Sequence, residues 1–226
     1  MIGRFWIDFL YSDKIKMAAY TLPKAALIDK FLPKSTIYQQ GWMNYATRNE
    51  FSKYIQKITW KYKLAESTIR IKKWKKIEEI QIFEIILKEK VFDKKIFKVL
   101  DKIIPYPILY ECKYNDQIAY LISYNKELYA TDRDQDIEFN LSWENLDSVY
   151  KNIVSKFITD ESIETEQWFE ALINWKHKKE ALEKEIEKLK TKIKKEIQMK
   201  DKVPLNMELQ KKKTELEKLL SHKYHK

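Results

Sequence analysis

The chain has 226 residues, 44% hydrophobic and 35% charged, with a formal net charge of +10 and only two glycines and five prolines. This excludes collagen-like and Pro/Gly-rich disordered chains; the aromatic content of 14% excludes a weakly hydrophobic disordered one. A lone cysteine, Cys112, excludes a disulfide framework, and the isolated Gly3 and Gly41 exclude a glycine-rich phosphate loop.

No apolar run approaches the roughly 18 residues of a membrane span. Met1 to Lys16 is aromatic and mixed in charge, without the apolar core of a secretory signal. The chain therefore reads as cytoplasmic, with Cys112 reduced and buried. Residues 1–16 precede a second methionine, Met17, where translation could begin, so 1–21 reads as an N-terminal extension. The positive charge is unevenly placed. Residues 51–103 carry 15 basic and seven acidic side chains, 104–170 carry five and 14, and 171–226 carry 17 and nine. Two basic blocks flank an acidic one. That pattern reads either as Lys-rich solvated surface or as a footprint for nucleic acid or an acidic partner.

In chain order, residues 18–48 hold Pro23, Pro33 and Gly41 with scattered apolar anchors, and read as an extended arm packed on a core. Asn49 is placed to cap a helix with Phe51, Tyr54, Ile55 and Ile58 on one face. Residues 57–64 are aromatic and β-prone, and Ala65 to Ile71 follows as a turn or single helical turn. Glu79 to Lys90 is too densely apolar for a half-exposed strand and is predicted central, covered on both faces. Asp93 is predicted to cap a helix facing inward through Ile96, Phe97, Leu100, Ile103 and Ile104, stopped by Pro105. Pro107 to Tyr114 and Gln117 to Tyr124 read as a hairpin turning at Asn115-Asp116, with a short strand at Glu127 to Thr131. After a polar loop at 132–136, Ser142 is predicted to cap a helix burying Trp143, Leu146, Val149, Tyr150, Ile153, Val154 and Phe157. The core, 22–160, is thus predicted to be α+β: a mostly antiparallel sheet with helices on one face.

From Glu166 the pattern changes to heptads. Trp168, Leu172, Trp175, Leu182, Ile186, Leu189 and Ile193 form an a/d seam interrupted by Lys179. Leu205, Leu209, Leu216 and Leu219 continue it after Pro204, with Lys212 at one seam position. A second segment of about four turns is short for an independent coiled coil. Residues 161–226 are therefore predicted to be an antiparallel helical hairpin, 163–200 against 204–222, projecting from the core. The alternative is one interrupted helix pairing with a second copy as a homodimer.

Candidate chemistry is sparse. His177, His222 and His225 lack the further ligands a zinc site needs, so neither metal nor cofactor is expected. Cys112 has no His base within residues 1–170 and reads as a core side chain. Glu111-Cys112-Lys113 has the Glu-x-Lys form found on strands of restriction-type nucleases, where alternation puts both polar groups on one face. Glu84 could supply the second carboxylate of a Mg²⁺ site. Against this, a predicted helix separates the two strands, which such nucleases join as a hairpin. The stronger signals are two basic segments. Arg70, Lys72, Lys73, Lys75 and Lys76 surround Trp74, a combination suited to phosphate neutralisation and base stacking. Lys190, Lys194, Lys195, Lys200 and Lys202 crowd toward the far end of the hairpin, suited to backbone contact with DNA or RNA, or to docking of a protein.

Several separated runs also resemble, in order, a family of uncharacterised bacterial proteins known as a domain of unknown function. They are Lys57 to Ile69, Glu79 to Ile85, Ile103 to Glu111, and Lys202 to Leu209 with its Asn206-Met207-Glu208-Leu209 opening the last helix. The resemblance covers about Leu22 to Leu220. It implies a place beside SNF2-type helicases and DNA methyltransferases in restriction-modification-like phage-defence loci, and it supplies no catalytic residues. The residues before Met17 depart from the family pattern. The expectation is therefore a non-catalytic accessory subunit of a defence complex, partnered by a helicase or methyltransferase and contacting DNA, with no membrane role. The alternative is a Mg²⁺-dependent nuclease using Glu84, Glu111 and Lys113.

Overall fold

The structure is a computed structural model, and it describes residues 22–40, 43–74, 77–90, 96–131, 144–159 and 165–221. The chain forms two compact units, Met1–Phe157 and Ile158–Lys226.

The first unit is built on a six-stranded sheet whose spatial order follows the sequence: β1 (Leu27–Phe31), β2 (Ile55–Ala65), β3 (Glu79–Leu87), β4 (Ile108–Tyr114), β5 (Gln117–Tyr124) and β6 (Glu127–Ala130). All neighbours are antiparallel except β3 and β4, which run parallel. The parallel pair follows from the connection: α4 (Phe97–Ile103) lies between the strands and returns the chain to the same end of the sheet. Residues 18–48 were expected as an extended arm. From residue 22 they instead form a 3-10 turn (Lys24–Ala26), the edge strand β1 and a short helix, α1 (Lys34–Gln39). Asp29 in β1 takes φ 48° at a shift in the β1–β2 register, a left-handed conformation that Asp tolerates.

The next helix, α2 (Tyr45–Tyr54), starts earlier than expected. Asn44 caps it, accepting from the Thr47 backbone N–H at 2.8 Å, and Asn49 lies inside. Ile55 and Ile58 continue the helical spacing of Phe51 and Tyr54 but belong to β2, where both are buried. The one-turn helix α3 (Glu66–Ile69) follows β2 as expected, and Arg70 ends it with φ 59°.

Strand β3 is central and covered on both faces, as its apolar density required. Phe83, Ile85 and Leu87 join Ile58, Tyr110, Cys112 and Leu121 in one buried cluster with α1, α2 and α4, through Ile37, Phe51, Phe97 and Leu100. The Phe97 and Tyr110 rings meet edge to face with centroids 4.8 Å apart. Ile80, Ile82, Leu109 and Ile122 point the other way and are also buried. Here α5 (Leu146–Ser155) lies against β3 and β5, with the Tyr150 ring beside Tyr124. The expectation of helices on one face is therefore corrected: α5 occupies the face opposite α1, α2 and α4. It buries Leu146, Val149, Tyr150, Ile153 and Val154 as expected, and also Asn152 and Ser155, while the expected Phe157 is only half-buried. Its cap is Asn145, accepting from the Ser148 N–H at 3.0 Å. The expected caps Asp93 and Ser142, with Trp143 and the 132–136 loop, lie outside the described residues, as do residues 1–21.

In the second unit α6 (Glu166–Lys195) and α7 (Met199–Ser221) pack as a hairpin. Trp175 Nε1 donates to the Leu219 carbonyl at 3.1 Å, and Lys212 meets Glu185 at 2.9 Å, contacts that fix an antiparallel register. The turn falls earlier than expected. Glu196 leaves the helix in an extended conformation and its carboxylate accepts from the backbone N–H groups of Ile197 and Gln198 at 2.9 and 3.1 Å. Pro204, expected at a helix start, lies within α7. Both lysines that interrupt the seam are accommodated. Lys179 sits 5.6 Å from the Trp175 ring centroid, and Lys212 bridges Glu185 and Glu215.

Candidate functional site

Two places in the first unit collect chemistry. One is a polar patch on the sheet face that carries Ile80 and Ile82. The parallel register sets Glu84 directly beside Glu111, and strand alternation sets Lys113 on the same face two residues on. The Lys113 ammonium lies 2.7 Å from Glu84 Oε2 and 2.8 Å from Glu111 Oε1. The structure therefore unites the three residues of the nuclease constellation, although α4 separates them in sequence: the crossover makes β3 and β4 neighbours without a hairpin. The ladder extends sideways, since Lys61 lies 3.8 Å from Glu84 and 3.6 Å from Asp29. Thr59, opposite Glu84 on β2, is buried, and its hydroxyl has no hydrogen-bond partner among the described residues.

The electrostatics mark this patch as a tight internal ion network. Burial by itself raises the Glu84 pKa, but the hydrogen bond and charge of Lys113, with Lys61 and Lys57, outweigh it and hold the carboxyl below its ordinary value. Burial likewise pulls Lys113 down, while its bonds to Glu111 and Glu84 outweigh that and raise it. The carboxylate thus contributes stability that is present above its ordinary value of 4.5 and lost as pH falls through the lowered folded value. The lysine contributes stability present below 10.5 and lost as pH rises through the raised folded value. The difference in Tm between the protein and Glu84→Gln is accordingly expected to stay level from about pH 6 to about pH 9 and to shrink on acidification below about pH 4.5. A difference that ignores acidification would remove Glu84 from the network.

The chemical capacity of the patch follows from its occupancy. Mg²⁺ needs only one or two protein carboxylates beside water and phosphate, so Glu84 and Glu111 suffice in number. The Lys113 ammonium, however, already fills the position between them. A cation entering there must first displace it.

The second place is the segment after α3. Arg70, Lys72, Lys73 and Trp74 are all exposed, Trp74 by 54%. The segment is held from beneath. The Lys72 carbonyl accepts from the Leu146 N–H at 3.0 Å, Trp74 and Ile77 exchange backbone bonds, and the Ile77 N–H reaches Asp147 at 3.3 Å. The indole is thus presented to solvent by backbone anchored to the start of α5. Lys75 and Lys76 lie outside the described residues.

In the hairpin, Lys194, Lys195 and Lys200 are exposed, Lys202 is half-buried, and Lys190 pairs with Glu187 at 3.4 Å. Cys112 is fully buried. His177 is exposed on α6, and His222 and His225 lie outside the described residues. Among the described residues no three His, Cys, Asp or Glu side chains gather as metal ligands.

One polar site escaped sequence reasoning. Asp101 on α4 accepts hydrogen bonds from Tyr110 at 2.7 Å and from Ser123, tying the helix to β4 and β5. Burial raises its pKa despite those two bonds. Burial and the Asp101 charge together push the Tyr110 phenol well above its usual value. Only the crossover brings these residues together, so no local pattern announces them.

Comparison with known proteins adds one match. Residues 21–216 match the family described as a domain of unknown function, DUF4391, and the chain belongs to that family. No curated protein and no solved structure matches it.

Proposed function

We propose that this protein is a non-catalytic accessory subunit of a restriction-modification-like phage-defence complex, working beside a helicase or DNA methyltransferase and contacting nucleic acid through the Arg70–Trp74 segment. The observation that supports it best is Trp74, more than half exposed beside three exposed cations on anchored backbone. A flat indole offers stacking to any base, and the flanking cations neutralise phosphate without reading sequence. The partner class rests on the resemblance of Lys57–Ile69 and the later motifs to proteins encoded beside such enzymes. The test is titration of a labelled DNA single strand with the protein, followed by anisotropy. Binding at low salt that weakens steeply and linearly in log K against log salt supports the reading; absence of binding at low salt removes it.

A second reading, a Mg²⁺-dependent nuclease, is favoured by the convergence of Glu84, Glu111 and Lys113. The half-buried ammonium between the carboxylates favours a structural tie instead. With Mg²⁺ and plasmid or single-stranded DNA, the protein and Glu111→Gln are both expected to leave the substrate intact. Cleavage by the protein that Glu111→Gln abolishes, with its fold intact by circular dichroism, would replace the accessory reading by the enzymatic one.

A further inference from the structure

The turn end of the hairpin exposes apolar side chains that the packing of α6 on α7 leaves without cover. Ile197 is 90% exposed, and Met199, Val203 and Met207 are each more than half exposed. The three α7 residues recur every fourth position and so line one side of the helix. The half-buried Leu205 and Leu209 lie on another side, in the seam with α6. A monomeric surface usually scatters such residues singly; a contiguous stripe marks a contact. Its rim is basic. Lys194, Lys195, Lys200, Lys211 and Lys213 are exposed, and among the described residues none of the five makes an ion pair.

We propose that this tip is a docking site for an acidic amphipathic helix of a partner protein. The partner's aliphatic stripe lies along Met199, Val203 and Met207, and its flanking carboxylates face the lysines. Charge complementarity selects this occupant. A second copy would set lysines against lysines. Nucleic acid would use the cations but leave the aliphatic stripe in water. A lipid interface is commonly held by aromatic anchors, and residues 188–213 contain none. Unbranched methionines suit a helix-in-groove contact because they repack around an incoming side chain. This inference is independent of the Trp74 segment: each surface can be lost without the other.

The test uses the full chain and a labelled helical peptide of about 20 residues, with Leu at heptad a and d positions and Glu at the flanks. Its controls are the same peptide with Lys at the flanks, a DNA duplex, and phosphatidylglycerol vesicles. The Glu-flanked peptide is expected to bind with a Kd of about micromolar order, and Val203→Gln/Met207→Gln to weaken it about tenfold or more. Both substituted side chains are exposed, so helicity by circular dichroism should stay unchanged. Four results would each overturn the proposal. They are no binding of the Glu-flanked peptide, equal binding of both peptides, DNA or vesicle binding that the double variant abolishes, and a dimer in light scattering that the double variant dissolves.

Discussion

Lys113→Met is expected to destabilise the protein by about 3 kcal/mol, toward the lower end of the range for breaking a buried ion pair. The reason is the company the ammonium keeps. Its removal leaves Glu84 and Glu111 side by side on adjacent strands with side chains largely withdrawn from water. Two like charges in that position repel each other and lose their best hydrogen bonds. The lower end applies because the Lys113 side chain keeps 30% of its exposure and water screens part of the field. Urea denaturation at neutral pH measures the loss. The triple variant Glu84→Gln/Glu111→Gln/Lys113→Met is expected to recover most of it, because replacing a buried charge network as a whole is often near neutral whereas breaking it is not. A triple variant no better than Lys113→Met would show that the lysine acts through packing of its stem.

The largest functional effect is expected at Trp74. Trp74→Ala should weaken single-stranded DNA binding by about tenfold or more, the range of roughly 1–3 kcal/mol for loss of a stacked aromatic. Stability should change little, about 0.5 kcal/mol, because the indole is more than half exposed. Anisotropy titration and thermal denaturation read the two effects separately. A change in stability as large as the change in binding would make Trp74 a packing residue.

Much of this architecture was legible because local chemistry and tertiary position agree. The apolar density of Ile80, Ile82, Ile85 and Leu87 belongs to a strand buried on both faces, and Asn115, at φ 51°, accepts the left-handed turn that makes the β4–β5 hairpin. The hairpin of α6 and α7 followed from the seam spacing, its break near Pro204 and the shortness of the second segment. The misreadings have equally local causes. Phe51, Tyr54, Ile55 and Ile58 keep helical spacing across a helix–strand junction that no Gly or Pro marks, so periodicity carried the helix too far and moved its cap to Asn49. Strand β1 is exposed along its whole length and has no buried alternation to detect. At the candidate site, alternation put Glu111 and Lys113 on one face, but their approach to Glu84 depends on a crossover that sequence pattern does not specify. Asp101 depends on the same crossover and gave no sign. The exposed stripe from Met199 to Met207 was hidden by the neighbouring Leu205 and Leu209, since spacing does not say which apolar row of a helix finds a partner.

The proposed function requires that Trp74 supply stacking while Arg70, Lys72 and Lys73 supply charge. The direct measurement is the affinity for a DNA single strand across a series of salt concentrations, for the protein and Trp74→Ala side by side. Two parallel lines in log K against log salt, offset by about tenfold or more, are predicted, because the indole releases no counterions and the cations remain. Coincident lines, or no binding by either protein at low salt, would contradict it.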